Sequence, residues 1–388
     1  MSWIKVISIN CTVFFCLITL IEISYNIYIK ISPRSQCEYT WVLYSYCSDI
    51  VTSKINYIED GGETIKIKTD DIGGRIPLEN GSNDKNENEI FLIGDSFIQA
   101  DEISYNETVY GQLSNIHGIK SYAVGYQSWN VIQYYDVIRK IGLQNKHYLV
   151  FLMSNDVAPS YPRSVYRELE NRSKNILTEF KKVLSSLFKF SYAVYRKIGH
   201  YLESSTNKIS LNNQAYISSN QYSEQYINNC HSLDAINQTS YINKLGYDYL
   251  VFSKEQKCWP EKHINAYEQF IEVTQEMAEF VKNTLNSKIS FIFVAHGWSS
   301  KYQHTLGRLT NEYRFNEDIE ITQKGLTNKL KNDLIDYLLI DSEEVINNEI
   351  NKCGLDCKDL YYFPIDGHWR PKTHKIIADK ISILINKE

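Results

Sequence analysis

No repeat period runs through the 388 residues, and no P-loop, G-x-G-x-x-G or H-E-x-x-H occurs in them. These absences set aside a solenoid, the phosphate cradle of a nucleotide-binding loop, the dinucleotide fingerprint and the two-histidine zinc helix of a metalloprotease. Clustered positive charge is missing too. The 41 basic residues are scattered and outnumbered by 46 acidic ones, giving a formal net charge of -5, which leaves no electrostatic footprint for nucleic acid. Hydrophobic residues make up 43% and charged residues 22%. That balance excludes a disordered or fibrous chain and is ample for one large core or two smaller ones. The 30 tyrosines fit either a carbohydrate-facing surface or ordinary core edges.

Long apolar runs are also scarce, with one exception at the start. Val6 to Ile21 reads VISINCTVFFCLITLI and extends to Ile29 if Glu22 and Asn26 lie near an interface. A membrane-crossing helix needs roughly 20 mostly apolar residues, whereas the apolar part of a signal peptide is shorter and ends in a small-residue cleavage site. No A-x-A-like site follows, and no small residues precede Cys11 or Cys16 as lipoprotein processing would need. Residues 1–30 are therefore expected to form an uncleaved membrane anchor, with a cleaved signal or a buried helix as alternatives. Lys5 on one side and Lys30 and Arg34 on the other leave the orientation open.

Six cysteines lie outside that run, in three close pairs: Cys37 with Cys47, Cys230 with Cys258, and Cys353 with Cys357. Disulfides within these pairs are the expectation, one of about fifteen possible pairings. Such bonds persist in oxidising compartments, and the C-x3-C at 353–357 has no second pair at zinc-ligand spacing. The body of the protein is accordingly expected outside the cytoplasm, periplasmic or at the cell surface.

Residues 31–89 are polar and turn-rich, with EDGGE at 59–63 and LENGSNDKNENE at 78–89. They read as a membrane-proximal segment containing a hairpin around Ile65 to Ile76. From residue 90 the pattern changes. Short apolar runs without alternation, typical of strands buried on both faces, recur at IFLIG (90–94), IKSYAV (119–124), HYLVFLM (147–153), ISFIFVA (289–295) and YLLID (337–341). Helical spacing appears over Thr108–Ile116, Ser128–Ile141, His263–Leu285, Thr322–Leu334 and Lys372–Ile385, the last opened by Pro371. Alternating strands and helices predict an α/β domain over 90–388, three-layer and flavodoxin-like, with about five parallel strands. A stretch at about 160–260 is too long for a simple crossover. It reads as an insertion with a helix near Arg167 to Ser186 and a Tyr, Ser and Asn rich part at Ser204 to Tyr226.

In an open α/β sheet, ligands sit beyond the carboxyl ends of the strands. The first run breaks off there into Gly94-Asp95-Ser96, the second into Gly125 and the third into Asn155, while Asp366-Gly367-His368 precedes the last helix. These residue types supply the parts of acyl transfer. Ser96 is the candidate nucleophile and His368 the base and acid, because imidazole titrates near neutrality. Asp366 is the candidate to orient His368. The backbone N–H groups of Ser96 and Gly125 and the Asn155 amide are candidate donors to an oxyanion. His296 is a rival base, and more naturally a substrate contact or a structural residue. His374 reads as a packing or surface histidine, and Asp95 and Asp156 as loop caps. Trp129, Trp298 and Trp369 fit either a sugar cleft or ordinary packing. No metal and no organic cofactor is expected.

These blocks, GDSF (94–97), AVGYQ (123–127), MSNDV (153–157) and FPIDGHW (363–369), resemble those of the SGNH, or GDSL-type, hydrolase superfamily over about residues 88–160 and 260–388. The last block departs from the usual D-x-x-H, and its closer spacing resembles the D-x-H of the alginate acetyltransferase branch. The resemblance implies a serine esterase or O-acyltransferase, and the anchor beside it implies an O-acetylated cell-envelope polysaccharide as substrate and a polytopic membrane acyltransferase as partner. A lipase or small-ester hydrolase with the same residues, and a non-catalytic polysaccharide-binding module of the same fold, are the alternatives.

Overall fold

A computed structural model describes residues 36–39, 43–79, 85–157, 254–259, 261–297, 323–353, 360–364 and 366–386, together with Thr19, Ile21 and Phe252. The chain divides into two units, Met1–Arg34 with Tyr161–Gln221, and Ser35–Ser160 with Tyr222–Glu388. The fold below is that of the second. Almost all of the expected anchor and nearly all of the expected insertion lie outside the described residues, as does Trp298. Among the described residues no helix is long and apolar enough to cross a membrane.

The five unalternated runs form strands β6 (Ile90–Gly94), β7 (Ser121–Gly125), β8 (His147–Leu152), β9 (Lys288–Phe293) and β10 (Leu338–Asp341), all paired in parallel. Their order across the sheet, β10-β9-β8-β6-β7, is the 2-1-3-4-5 order of flavodoxin-type sheets read from the other edge. Successive side chains divide between two cores. Phe91 and Ile93 join one with Tyr148, Val150, Tyr134, Tyr267 and Leu326. Ile90 and Leu92 join the other with Leu149, Phe151, Val109, Ile346 and Ile377. Both faces are therefore covered, which is why these runs are apolar without alternation.

Eight α-helices occur among the described residues: α1 (Ser96–Gln99), α2 (Val109–His117), α3 (Val131–Ile141), α4 (Ser154–Val157), α5 (Glu261–Glu279), α6 (Lys324–Asp333), α7 (Ser342–Cys353) and α8 (Pro371–Ile385). The longer ones carry local stop and start signals. Thr108 caps α2 by accepting from Gly111 N, and Asn130 with Gln133 forms a capping box on α3. α5 runs on as a π-helix over Phe280–Thr284.

The stretch before residue 90 is more than a connector. The hairpin expected around Ile65 to Ile76 is present as β4 (Thr64–Thr69) and β5 (Arg75–Ile76), and β3 (Val51–Ile55) pairs with β4. Through β5, which pairs antiparallel with β7, these strands extend the main sheet to eight. A separate hairpin, β1 (Gln36–Tyr39) and β2 (Leu43–Tyr46), carries the Cys37–Cys47 disulfide. Cys258 and Cys353 are also disulfide-bonded, and the expected partners Cys230 and Cys357 lie outside the described residues.

Candidate active site

The carboxyl ends of β6, β7 and β8 stand side by side, with Gly94 in register with Gly125. β6 is followed by Asp95, a buried carboxylate that accepts from Phe97 N at 3.1 Å and so caps α1. Ser96 is the first residue of that short helix, where N–H groups lack intrahelical acceptors. Its hydroxyl is half-buried at the sheet edge. Asn155 follows β8 in α4, and its Nδ2 donates to Asp95 Oδ2 at 3.2 Å. One of its two N–H bonds is used there, and the other remains for a second acceptor.

Across 272 positions of sequence, His368 Nε2 lies 2.7 Å from Ser96 Oγ. On the other side of the ring, Nδ1 hydrogen-bonds Asp366 Oδ1. The D-x-H spacing therefore delivers both side chains to one place. Gly367 makes this possible with φ +80, a left-handed conformation that suits glycine. Phe97 packs against the imidazole with ring centroids 4.6 Å apart.

Burial works to lower the His368 pKa, but the carboxylates of Glu102 and Asp366 outweigh it and hold the imidazole at about 9. Burial pushes the Asp366 carboxyl up, while His368 and Lys54 pull it further down, well below the usual carboxylate range. The Asp95 carboxyl is raised by burial despite the hydrogen bonds from Phe97 and Asn155. The raised His368 pKa favours the imidazolium, and the ring acts as a base only once Nε2 is free of its proton.

Gly125 meets a different constraint from the one its position at a strand end implies. A Cβ there would lie 2.7 Å from Asp95 O and 2.8 Å from Gln99 N, so the glycine makes room for the turn that carries Ser96. His296, the rival base, is buried with its ring centroid 5.8 Å from that of His368. Burial and the neighbouring His368 lower its pKa to about 3, and it hydrogen-bonds the Asp366 backbone. It braces the loop as a neutral ring. His374 is buried and takes a hydrogen bond from Val109 N at 3.2 Å, a packing histidine. Asp156 accepts from Met153 N at 2.7 Å and from the Tyr134 hydroxyl at 2.8 Å, fixing the turn before Asn155. Trp129 and Trp369 are buried in the two cores, so neither lines a sugar cleft.

Three residues near the triad escaped the sequence reading. Lys54 on β3 pairs with Glu102 and stands 3.8 Å from Asp366 Oδ2. Asp60 accepts from Asp366 N at 3.1 Å. Glu102 is buried, with Oε1 3.9 Å from His368 Nδ1. Lone charged residues in a polar stretch carry no periodic signal, so nothing short of the fold announces them. Among the described residues, Glu102, Asp366 and His368 also offer ligand atoms within 4.8 Å of one another. The Lys54 ammonium already lies beside both carboxylates and Nδ1 is bonded to Asp366, an arrangement suited to holding a proton rather than a metal cation.

No family model matches the chain, and no curated protein matches it. Among solved structures, the crystal structure of protein YXIM from Bacillus subtilis aligns with 77% of this chain and 56% of its own, at 9% identity and a TM-score of 0.38. The chain thus spans little more than half the length of that protein, and a likeness this distant carries no step of the reasoning that follows.

Proposed function

We propose that this chain is an SGNH-type serine esterase or O-acyltransferase that works through an acyl-Ser96 intermediate. The observation that carries this reading is the 2.7 Å approach of Ser96 Oγ to His368 Nε2, with Asp366 on the opposite ring nitrogen. Ser96 Oγ attacks an ester carbonyl as its proton passes to Nε2, and Asp366 stabilises the imidazolium that forms. The tetrahedral oxyanion takes hydrogen bonds from the Ser96 and Gly125 N–H groups and from the Asn155 amide. His368 then returns the proton to the leaving alcohol. Water resolves the acyl-enzyme in a hydrolase, and a sugar hydroxyl does so in a transferase.

The Cys37–Cys47 disulfide supports an oxidising location. With the apolar run of residues 6–21 as an anchor, the proposed setting is the outer side of a membrane. The block resemblance supports an O-acetylated envelope polysaccharide as substrate, with a polytopic membrane acyltransferase as the source of acyl groups.

A fluorophosphonate probe tests the reading. Wild type should be labelled and Ser96→Ala should not, with the rate rising with pH as His368 loses its proton. Equal labelling of the two proteins would refute it. Mass spectrometry after incubation with acetylated oligosaccharide and an acceptor sugar then separates hydrolysis from transfer by the fate of the acetyl group on Ser96.

A further inference from the structure

A serine triad needs one carboxylate on its histidine, and this site has two. Besides Asp366, Glu102 places Oε1 3.9 Å from His368 Nδ1. Glu102 comes from the turn after α1, is 6% exposed, and is held twice from the antiparallel extension. Lys54 Nζ donates to that same Oε1, and Asn56 Nδ2 donates to the Glu102 carbonyl at 2.8 Å. Lys54 also stands 3.8 Å from Asp366 Oδ2, so one ammonium bridges the two carboxylates.

A carboxylate in this position is costly to bury without a partner. Burial explains why Glu102 is paired with Lys54, but pairing alone gives the carboxylate no reason to face a particular ring nitrogen. This one faces the nitrogen whose hydrogen bond sets the imidazole tautomer.

We propose that Glu102 is a second positioning carboxylate for His368, held by Lys54 and Asn56 so that Nδ1 keeps an anionic neighbour alongside Asp366. The inference rests on the serine-hydrolase reading above. It gives the extension β3–β5 a task in the chemistry, since Lys54 and Asn56 arrive from it. The charged and titratable groups around the ring are Asp366 from its own loop, Glu102 after α1, Asp95 after β6, Lys54 on β3 and His296 after β9. Asp101, beside Glu102 and Lys54, Arg75 on β5 and the buried His374 on α8 belong to the same group of interacting charges.

The test measures fluorophosphonate labelling of the intact protein against pH. In wild type the midpoint should fall near the His368 value of about 9. Glu102→Gln should lower it by about one unit or more, raising labelling at neutral pH about tenfold per unit because more of the imidazole is neutral. At the alkaline plateau Asp366→Asn should retain labelling that the double variant Asp366→Asn/Glu102→Gln loses, by about tenfold or more. An unmoved midpoint in Glu102→Gln, or equal plateaus for the single and double variants, would overturn the inference. Should Glu102→Gln fail to fold, Glu102→Asp withdraws the charge by one methylene, and its midpoint should fall by less in the same direction. The His368 ring resonances report the same midpoint by NMR without any reaction. A wild type with no Ser96-dependent labelling at any pH sinks the hydrolase reading and this inference together, while labelling with an unmoved midpoint sinks this inference alone.

Discussion

Replacing Gly125 with alanine adds one methyl group at the end of β7, and the space it enters is already filled by backbone. The new Cβ would lie 2.7 Å from Asp95 O, 2.8 Å from Gln99 N and 2.9 Å from Ile98 Cβ. The first two atoms are the ends of one hydrogen bond, Gln99 N to Asp95 O at 3.0 Å, so no side-chain rotation relieves the crowding. Overpacking of this kind costs about 1–3 kcal/mol, and weakening the backbone bond adds about 1 kcal/mol. The total, about 2–4 kcal/mol, leaves a domain of ordinary stability folded. The effect on reaction rate is larger, because Ser96 opens the turn being pushed, and a displacement of about 1 Å costs on the order of a hundredfold. Urea unfolding and the second-order rate of fluorophosphonate labelling read the two effects separately. Gly118→Ala is the control: Gly118 has φ +66 and open space around it, so strain of about 1 kcal/mol is expected with labelling unchanged. A Gly125→Ala protein that labels at the wild-type rate would refute the claim that β7 backs the nucleophile's turn.

Arg75 is buried and its guanidinium donates to the carbonyls of Gln99, Ala100 and Ile103; Arg75→Met should cost about 3 kcal/mol or more in chemical unfolding, because three carbonyls lose a charged donor and only that of Ala100 keeps a backbone one, from Ile103 N. Asn155→Ala should lower turnover of a soluble ester about a hundredfold or more with a smaller change in KM, as loss of one oxyanion donor does. The Cys37–Cys47 bond closes a loop with a sequence separation of 10, so the double serine variant should lose about 3 kcal/mol if the disulfide acts by restricting the unfolded chain. His368 is raised from the ordinary imidazole value of 6.5 to about 9 on folding; its contribution to stability should be complete below about pH 6.5 and fade as pH rises through about 9, a dependence that His368→Gln should remove from urea titrations.

The parallel strands were legible because burial on both faces leaves a run with nothing polar in it. Three of the four blocks were legible because each stands where such a run stops, and the fourth because it stands just before the last helix. α7 was missed: SEEVINNEINKC carries Val345, Ile346 and Ile350 among charged and amide residues, too thin a stripe to stand out from a loop. β3 was missed for a related reason. VTSKI sits at the outer end of the sheet order, with Val51 and Ile55 exposed at 59% and 72%, so its apolar residues do not mark a core face. With β3 unread, Lys54 and Asn56 had no address, and neither did the carboxylate they hold. The role of Gly125 was half legible. A glycine at a strand end was visible, but the backbone it must clear belongs to a turn that only the folded chain brings beside it.

The shortened Asp-Gly-His spacing is explained by the loop's tethers rather than by the three residues alone. Gly367 N donates to Phe363 O at 2.9 Å, Phe363 N donates to His368 O at 2.9 Å, and Gly297 N donates to Gly367 O at 3.1 Å. Asp60 takes the Asp366 N–H. These bonds close a tight turn around a left-handed glycine, braced from one side by the loop after β9 and from the other by the short helical turn after β3. In that turn, residues two apart meet, with the Asp366 carboxylate on His368 Nδ1 and Nε2 left facing the Ser96 hydroxyl. Here the economy of one residue is balanced by contacts from two other segments, and one of them, the stretch from Lys54 to Asp60, also delivers the ammonium that keeps two carboxylates side by side.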